Sequence, residues 1–173
     1  MVGVSRATAQ WRYTLNKAPD CPTIGVHLTG VDVRELIREV VNQQTGRYRS
    51  FITLFAGGFQ ETSLQMFKWL LYPILTSSIP ELEAGLTYRQ MRDILRRHHP
   101  EGAKLNVGNL TQALQSTASL QVKKEIKPIV LDYDQTKTKL NVVDRGFLIW
   151  MANQDRDELL ELADLPTRAS SGA

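Results

Sequence analysis

Apolar residues recur along this chain with helical spacing in most places and with strand spacing in two. Val33, Leu36, Ile37, Val40 and Val41 fall at i, i+3, i+4, i+7 and i+8, one face of a helix. Asp32 precedes them and Glu35 follows three residues on, the pattern of a capping box. Gly46 is where this helix is expected to close. A second helix is predicted over Glu61 to Thr76, capped by Thr62 or Ser63. Its stripe of Leu64, Phe67, Leu70, Leu71, Ile74 and Leu75 is widened by Met66, Trp69 and Tyr72, so it should be buried on more than one side. Pro73 should kink or loosen its last turn. A third run, Tyr88 to Arg97, has Thr87 as N-cap, with Met91, Ile94, Leu95 and His98 inward and Arg89, Arg92, Arg96 and Arg97 outward or flanking. A fourth begins near Lys104 or Asn106 and turns Val107, Leu110, Leu114 and Ala118 to the core. Its opposite side is Asn109, Gln112 and Ser116, flanked by Ala113 and Gln115. A closing helix follows Asp144 with Phe147, Leu148, Trp150 and Met151, and an acidic amphipathic helix runs from Asp155 to Leu165.

The period of two appears first at Thr23 to Leu28, a short half-buried strand with Ile24, Val26 and Leu28 on one face. It returns in a hairpin: Ile129 to Asp134, a turn over Gln135 to Thr138, then Lys139 to Val143. Pro128 stands at the strand entry, where a missing N–H is tolerated. Arg47 to Ala56 is ambiguous between strand and helix, and Gly57-Gly58 ends it in a turn. Residues 1–22, anchored only by Trp11 and Tyr13, are an arm laid over the domain or a partly disordered segment; residues 166–173 are expected to be disordered. The sum is a mainly α chain with a small β-hairpin, an α+β class.

Composition narrows this little. A chain of 173 residues, 42% hydrophobic and 23% charged, fits one soluble domain with an appendage. No apolar run approaches the about 18 residues of a membrane span. The first residues lack an apolar signal region, and a single cysteine, Cys21, leaves no internal disulfide, so a cytoplasmic location is the default. The net charge of +3 is mild, but its distribution is not even. Residues 83–140 hold ten Lys/Arg against six acids, while residues 141–165 hold six acids against two arginines. A basic patch is the footprint expected for phosphate binding, and solvated basic helix faces give the same count.

Catalytic signatures are missing. There is no Walker loop, nucleophile elbow, zinc-protease helix, dinucleotide turn or calcium loop. His98-His99 beside Glu101 reads as a helix-ending turn before it reads as a metal site. Asp132 and Asp134 on one strand face read as solvent-facing residues about an inward Tyr133. No enzyme activity, cofactor or metal is expected.

The order helix, helix, hairpin from Leu86 to Val143, with Val142-Val143-Asp144 and then Phe147-Leu148-Ile149-Trp150, resembles the winged-helix (winged helix-turn-helix) family. It is similar to the winged helices of bacterial DNA-binding regulators and of the C-terminal side of bacterial P-loop ATPases. The resemblance runs from about Ser63 to Met151. It implies a winged-helix domain over 59–165, preceded by a strand-helix extension at 1–58 and followed by a tail at 166–173. It further implies a second helix of the helix-turn-helix that reads DNA, and a wing tip that lies along the phosphate backbone. Asn and Gln can pair bidentately with adenine, and small side chains can touch a thymine methyl. Asn109, Gln112, Ala113 and Ser116 are therefore the candidate base contacts. Arg89, Lys104, Lys123, Lys124, Lys137 and Lys139 are the candidate phosphate contacts, which add affinity without base information. The expected partner is double-stranded DNA, with a homodimer compatible. The alternative is a winged-helix protein–protein interaction module, a subunit of a larger assembly, an ATPase-linked one included. The arginine-free face of the helix that begins near Asn106 and the apolar Glu61–Thr76 helix favour that alternative.

Overall fold

The structure, a computed structural model, describes residues 32–59 and 64–167. The expected arm at 1–22, the strand at 23–28, the cap at Thr62 or Ser63 and the end of the tail lie outside the described residues. The chain divides into two units, 1–42 and 43–173, with the boundary inside helix α1 (Val33–Ala56).

In the first unit the described residues are the opening turns of α1. The Arg34 N–H donates to Asp32 Oδ1 at 2.9 Å, which closes the helix start. Leu36, Ile37 and Val40 are exposed.

In the second unit α1 continues through Gly46, where the sequence pattern had it closing, and the ambiguous 47–56 stretch is its last three turns. A glycine in a helix interior costs about 1 kcal/mol relative to alanine. The residues after Gly46 offset that loss: Tyr48, Phe51, Ile52 and Phe55 return at helical spacing and are all fully buried. Gly57 and Gly58 then turn the chain, with Gly58 at φ +57.

Helix α2 (Met66–Thr76) is the centre of the unit. Every residue from Trp69 to Leu75 is buried, as the wide stripe predicted. The helix starts at Met66 rather than Glu61, because Gln65 stands in the left-handed region at φ 43. Pro73 is accommodated one turn from the end, and its carbonyl accepts the Ser77 N–H at 3.1 Å. The connector after it is a short helix, α3 (Ile79–Ala84), capped reciprocally by Ser78 and Glu81. Then follow β1 (Leu86–Thr87), α4 (Tyr88–His98), a 3-10 turn (Gly102–Lys104), α5 (Val107–Gln115), α6 (Thr117–Lys123), β2 (Leu131–Asp134), β3 (Lys139–Val142), α7 (Arg145–Ala152) and α8 (Arg156–Leu162). The hairpin gains a third strand that sequence periodicity cannot see, since β1 has two residues. The sheet is antiparallel in the order β1-β3-β2, with Leu140 opposite both Leu86 and Tyr133. The described chain is thus mainly helical, with eight α-helices and one small three-stranded sheet, an α+β protein. Among the described residues no helix is long and apolar enough to cross a membrane.

Helices α4, α5 and α8 pack against α2, and α7 against α3 and β3. An aromatic cluster joins α1 to α7: Tyr48 and Phe51 each meet Phe147 edge-on, and Tyr48 lies 5.3 Å from Trp150. The Trp150 indole N–H donates to Thr45 Oγ1 at 3.1 Å. Above the cluster Asp144 caps α7, accepting from the Gly146 N–H at 2.9 Å, and also accepts from Arg47 at 2.6 Å and from the Tyr48 hydroxyl at 3.1 Å. Burial and the adjacent Asp144 charge push the Tyr48 hydroxyl above its ordinary pKa, against the pull of Arg47.

The hairpin is tied to α6 by one buried side chain. Gln121 is wholly inaccessible. Its Oε1 accepts from the N–H groups of Val130 and Leu131 at 2.8 and 3.1 Å, and its Nε2 donates to the carbonyls of Leu131 and Thr117 at 2.7 and 3.0 Å. A buried carboxamide costs free energy unless its donors and acceptors are met, and here both ends are.

Candidate nucleic-acid interface

Helix α4 begins with a reciprocal cap. The Gln90 N–H donates to Thr87 Oγ1, and the Thr87 N–H donates to Gln90 Oε1 at 2.9 Å. From there Met91 and Leu95 go to the core, and Arg89, Arg92, Arg96 and Arg97 are all exposed. Asp93 is the one acid of the helix. Arg89 approaches it at 3.9 Å, and Arg97 Nε donates to its backbone carbonyl at 3.0 Å. The guanidinium groups of Arg92 and Arg96 make no hydrogen bond or ion pair with the described residues. Both line a small cleft with Tyr88 and Asn106, where α4 meets the start of α5, and the Tyr88 hydroxyl donates to the Val107 carbonyl at 3.4 Å.

Helix α5 departs from its expected orientation. Leu110, Ala113 and Leu114 are buried, whereas Val107 is 61% exposed. The core side is rotated toward Ala113 and continues at Thr117, whose hydroxyl donates to the Ala113 carbonyl and so can be buried. Ala113 therefore belongs to the interior, and its methyl is not offered as a base contact. Asn109 is half-buried and engaged in the helix cap. Its N–H donates to Asn106 Oδ1 at 2.9 Å and its own Oδ1 accepts from the Asn106 N–H at 3.2 Å, so it has only its amide nitrogen left to offer. Ser116 breaks the expected single helix, standing between α5 and α6 at φ −90 and ψ 1. Gln112 alone of the four candidates is exposed with a side chain that no described residue engages. Gln115, expected at the edge of this side, is exposed beside it, and the rotation brings half-buried Thr111 to its flank.

The lysines divide similarly. Lys104 is exposed and pairs with Glu101 at 3.2 Å. Lys123 sits with its ammonium 5.1 Å from the Phe59 ring centroid, and Lys124 is half-buried at the end of α6. In the hairpin, Asp134 accepts from the N–H groups of Thr136 and Lys137 and lies 3.8 Å from the Lys137 ammonium. Lys139 reaches away from the tip and donates to the Ala84 carbonyl at 3.1 Å, which fastens β3 to the end of α3. With Asp132 exposed as well, the hairpin carries as many acids as bases.

The histidine pair serves the fold. His99 is buried, with Nε2 donating to the Leu64 carbonyl and Nδ1 accepting from the Glu101 N–H, both at 2.9 Å; these partners assign its tautomer. His98 Nδ1 meets the Tyr72 hydroxyl at 3.2 Å. Among the described residues no three His, Cys, Asp or Glu side chains stand together as metal ligands.

One side of α5 faces a cavity of about 700 Å³. Asn109, Gln112 and Ser116 line it opposite the end of α1 and the start of α2. Lys68 in its wall is paired with Asp164 of the turn after α8, and that contact holds the Asp164 carboxyl below the ordinary range. Comparison of the chain with family models, with curated proteins and with solved structures finds no match.

Proposed function

We propose that the chain is a DNA-binding winged-helix protein, a regulator of transcription or of another DNA transaction. The order α2, β1, α4, α5, β2, β3, with β3 central in the sheet, supports reading α4 and α5 as the helix-turn-helix and β2–β3 as the wing. The observation that carries the proposal is the pair Arg92 and Arg96. Two guanidinium groups with no partner among the described residues stand beside the start of a helix that offers Gln112 and Gln115, with half-buried Thr111 at their flank. On this reading the arginines hold phosphates, and the uncharged donors and acceptors of α5 reach base edges in the major groove. A dimer would present two such faces to half-sites one helical turn apart.

The test is a fluorescence-anisotropy titration of random duplex DNA at two salt concentrations. Binding that weakens steeply with salt is expected, because each phosphate contact releases counterions. No binding at low salt overturns the proposal.

A second reading has its own support. Part of the α5 face, at Asn109 and Ser116, looks across the cavity toward residues 53–59 rather than out to solvent. A face partly walled in this way suits a protein-interaction module, a subunit of a larger assembly. On that reading random DNA gives no salt-sensitive binding, and α5 variants disturb assembly instead.

A further inference from the structure

The cavity beside α5 has an uneven lining, and its unevenness describes a ligand. Its volume of about 700 Å³ lies in the range of small-molecule sites, about 300–1,000 Å³. One wall is aromatic: Phe59 and Phe67 meet edge-to-face at 5.4 Å between centroids. Gly58 makes room for that wall, since a Cβ there would stand 3.0 Å from the Phe67 ring. The facing wall is polar and includes the Gln112 carboxamide.

The third component is charge. The Lys68 side chain is only 15% exposed, while that of its partner Asp164 is 95% exposed. A cation held inside is thus balanced by a carboxylate that water can fully hydrate. An anion entering the cavity could take the place of Asp164 on Lys68, and Asp164 would lose little by returning to water. Lys123, over the Phe59 ring, adds a second positive charge beside the same wall.

We propose that this cavity is a binding site for a planar aromatic carboxylate, with its ring against Phe59 and Phe67 and its carboxylate on Lys68. The site shares Gln112 with the face proposed to read DNA, but the ring wall and Lys68 lie outside that face, so either reading of the function leaves the proposal standing.

The probe is 2-naphthoate, with the neutral 2-naphthalenemethanol as its control, titrated into the full chain and followed by amide proton–nitrogen correlation spectra. Saturable shifts are expected at Gly57, Gly58 and Ala113, with the acid binding about tenfold more tightly than the alcohol. Lys68→Met should abolish that preference and leave the alcohol's affinity unchanged. Asp164→Asn, a change at an exposed turn, should strengthen naphthoate about threefold by removing the competing carboxylate. Shifts absent from these amides, equal affinities for acid and alcohol in the parent chain, or a preference that survives Lys68→Met overturn the proposal. An Asp164→Asn chain that binds naphthoate no better than the parent overturns it too, and this variant serves if Lys68→Met does not fold.

Discussion

Helix α4 and the β2–β3 hairpin are the two regions whose cations a phosphate-binding surface would draw on, and they use their polar groups in opposite ways. On α4 the caps and the core residues hold the helix, and Arg92 and Arg96 are left without partners among the described residues. In the hairpin the polar groups nearest the turn and the sheet edges have tasks within the fold. Asp134 shapes the turn, Lys139 fastens β3 to α3, and Gln121 joins α6 to the first residue of β2. The comparison teaches that a count of lysines and arginines measures charge, not availability. A cation contributes to a partner's phosphates only in proportion to what it is not already doing.

The largest effect should come from the hairpin's root. Gln121→Leu leaves the backbone groups of Val130 and Leu131 buried without their partners, at a cost of about 3 kcal/mol. A thermal melt should fall by about 10 °C; an unchanged melt would mean the hairpin does not depend on that side chain. Next is the double variant Arg92→Ala with Arg96→Ala. The melt should hold within about 1 °C, since these are exposed positions. DNA affinity should fall at least about tenfold, and the slope of log affinity against log salt should shrink by about 2. If the slope stays, α4 is not the phosphate-binding side and the comparison is reversed.

Smaller effects sharpen the contrast. Lys139→Met should cost about 0.5–1 kcal/mol of stability and leave the salt slope alone, marking a lysine whose role is internal. Lys137→Ala should change neither by a measurable amount; a slope reduced by about 1 would restore the wing tip to the phosphate contacts. The least effect near neutral pH belongs to Tyr48. Its folded pKa is raised above the unfolded value of about 10. The stability it contributes is therefore complete below about pH 10 and is lost as pH rises through the folded value. The loss of stability above about pH 10 should consequently be shallower in Tyr48→Phe than in the parent chain; an unchanged pH dependence would separate the Arg47–Tyr48–Asp144 contact from stability.

Much of the fold was legible where its cause is local. Thr87 with Gln90 and Asn106 ahead of α5 are caps, set by residues three apart, and the hairpin is set by alternation about a polar turn. What escaped depends on residues far away in sequence. Gly46 looks like a stop until Tyr48 and Phe51 are seen to meet Phe147 and Trp150 about a hundred residues later. Apolarity ranks Val107 above Ala113 for the core side of α5, yet Ala113 is buried and Val107 exposed. The strand β1 is too short to show a period. The candidate positions divide the same way: Gln112 is exposed, Asn109 is tied into its own cap, and the cavity needed the end of α1 and the start of α2 brought opposite α5.

The Gln121 carboxamide has one more consequence, for what the sheet can do with strangers. In the order β1-β3-β2 the outer strands are β1, of two residues, and β2, of four. An open strand edge is a template for pairing with another chain, and native proteins blunt it. At Val130 and Leu131 the backbone positions a foreign strand would need first are already occupied by a side chain of the same molecule. An incoming strand would have to begin at Tyr133, between the carboxylates of Asp132 and Asp134. The residue that anchors the hairpin thereby also guards it against self-association, and Gln121→Leu should leave a folded remnant that aggregates.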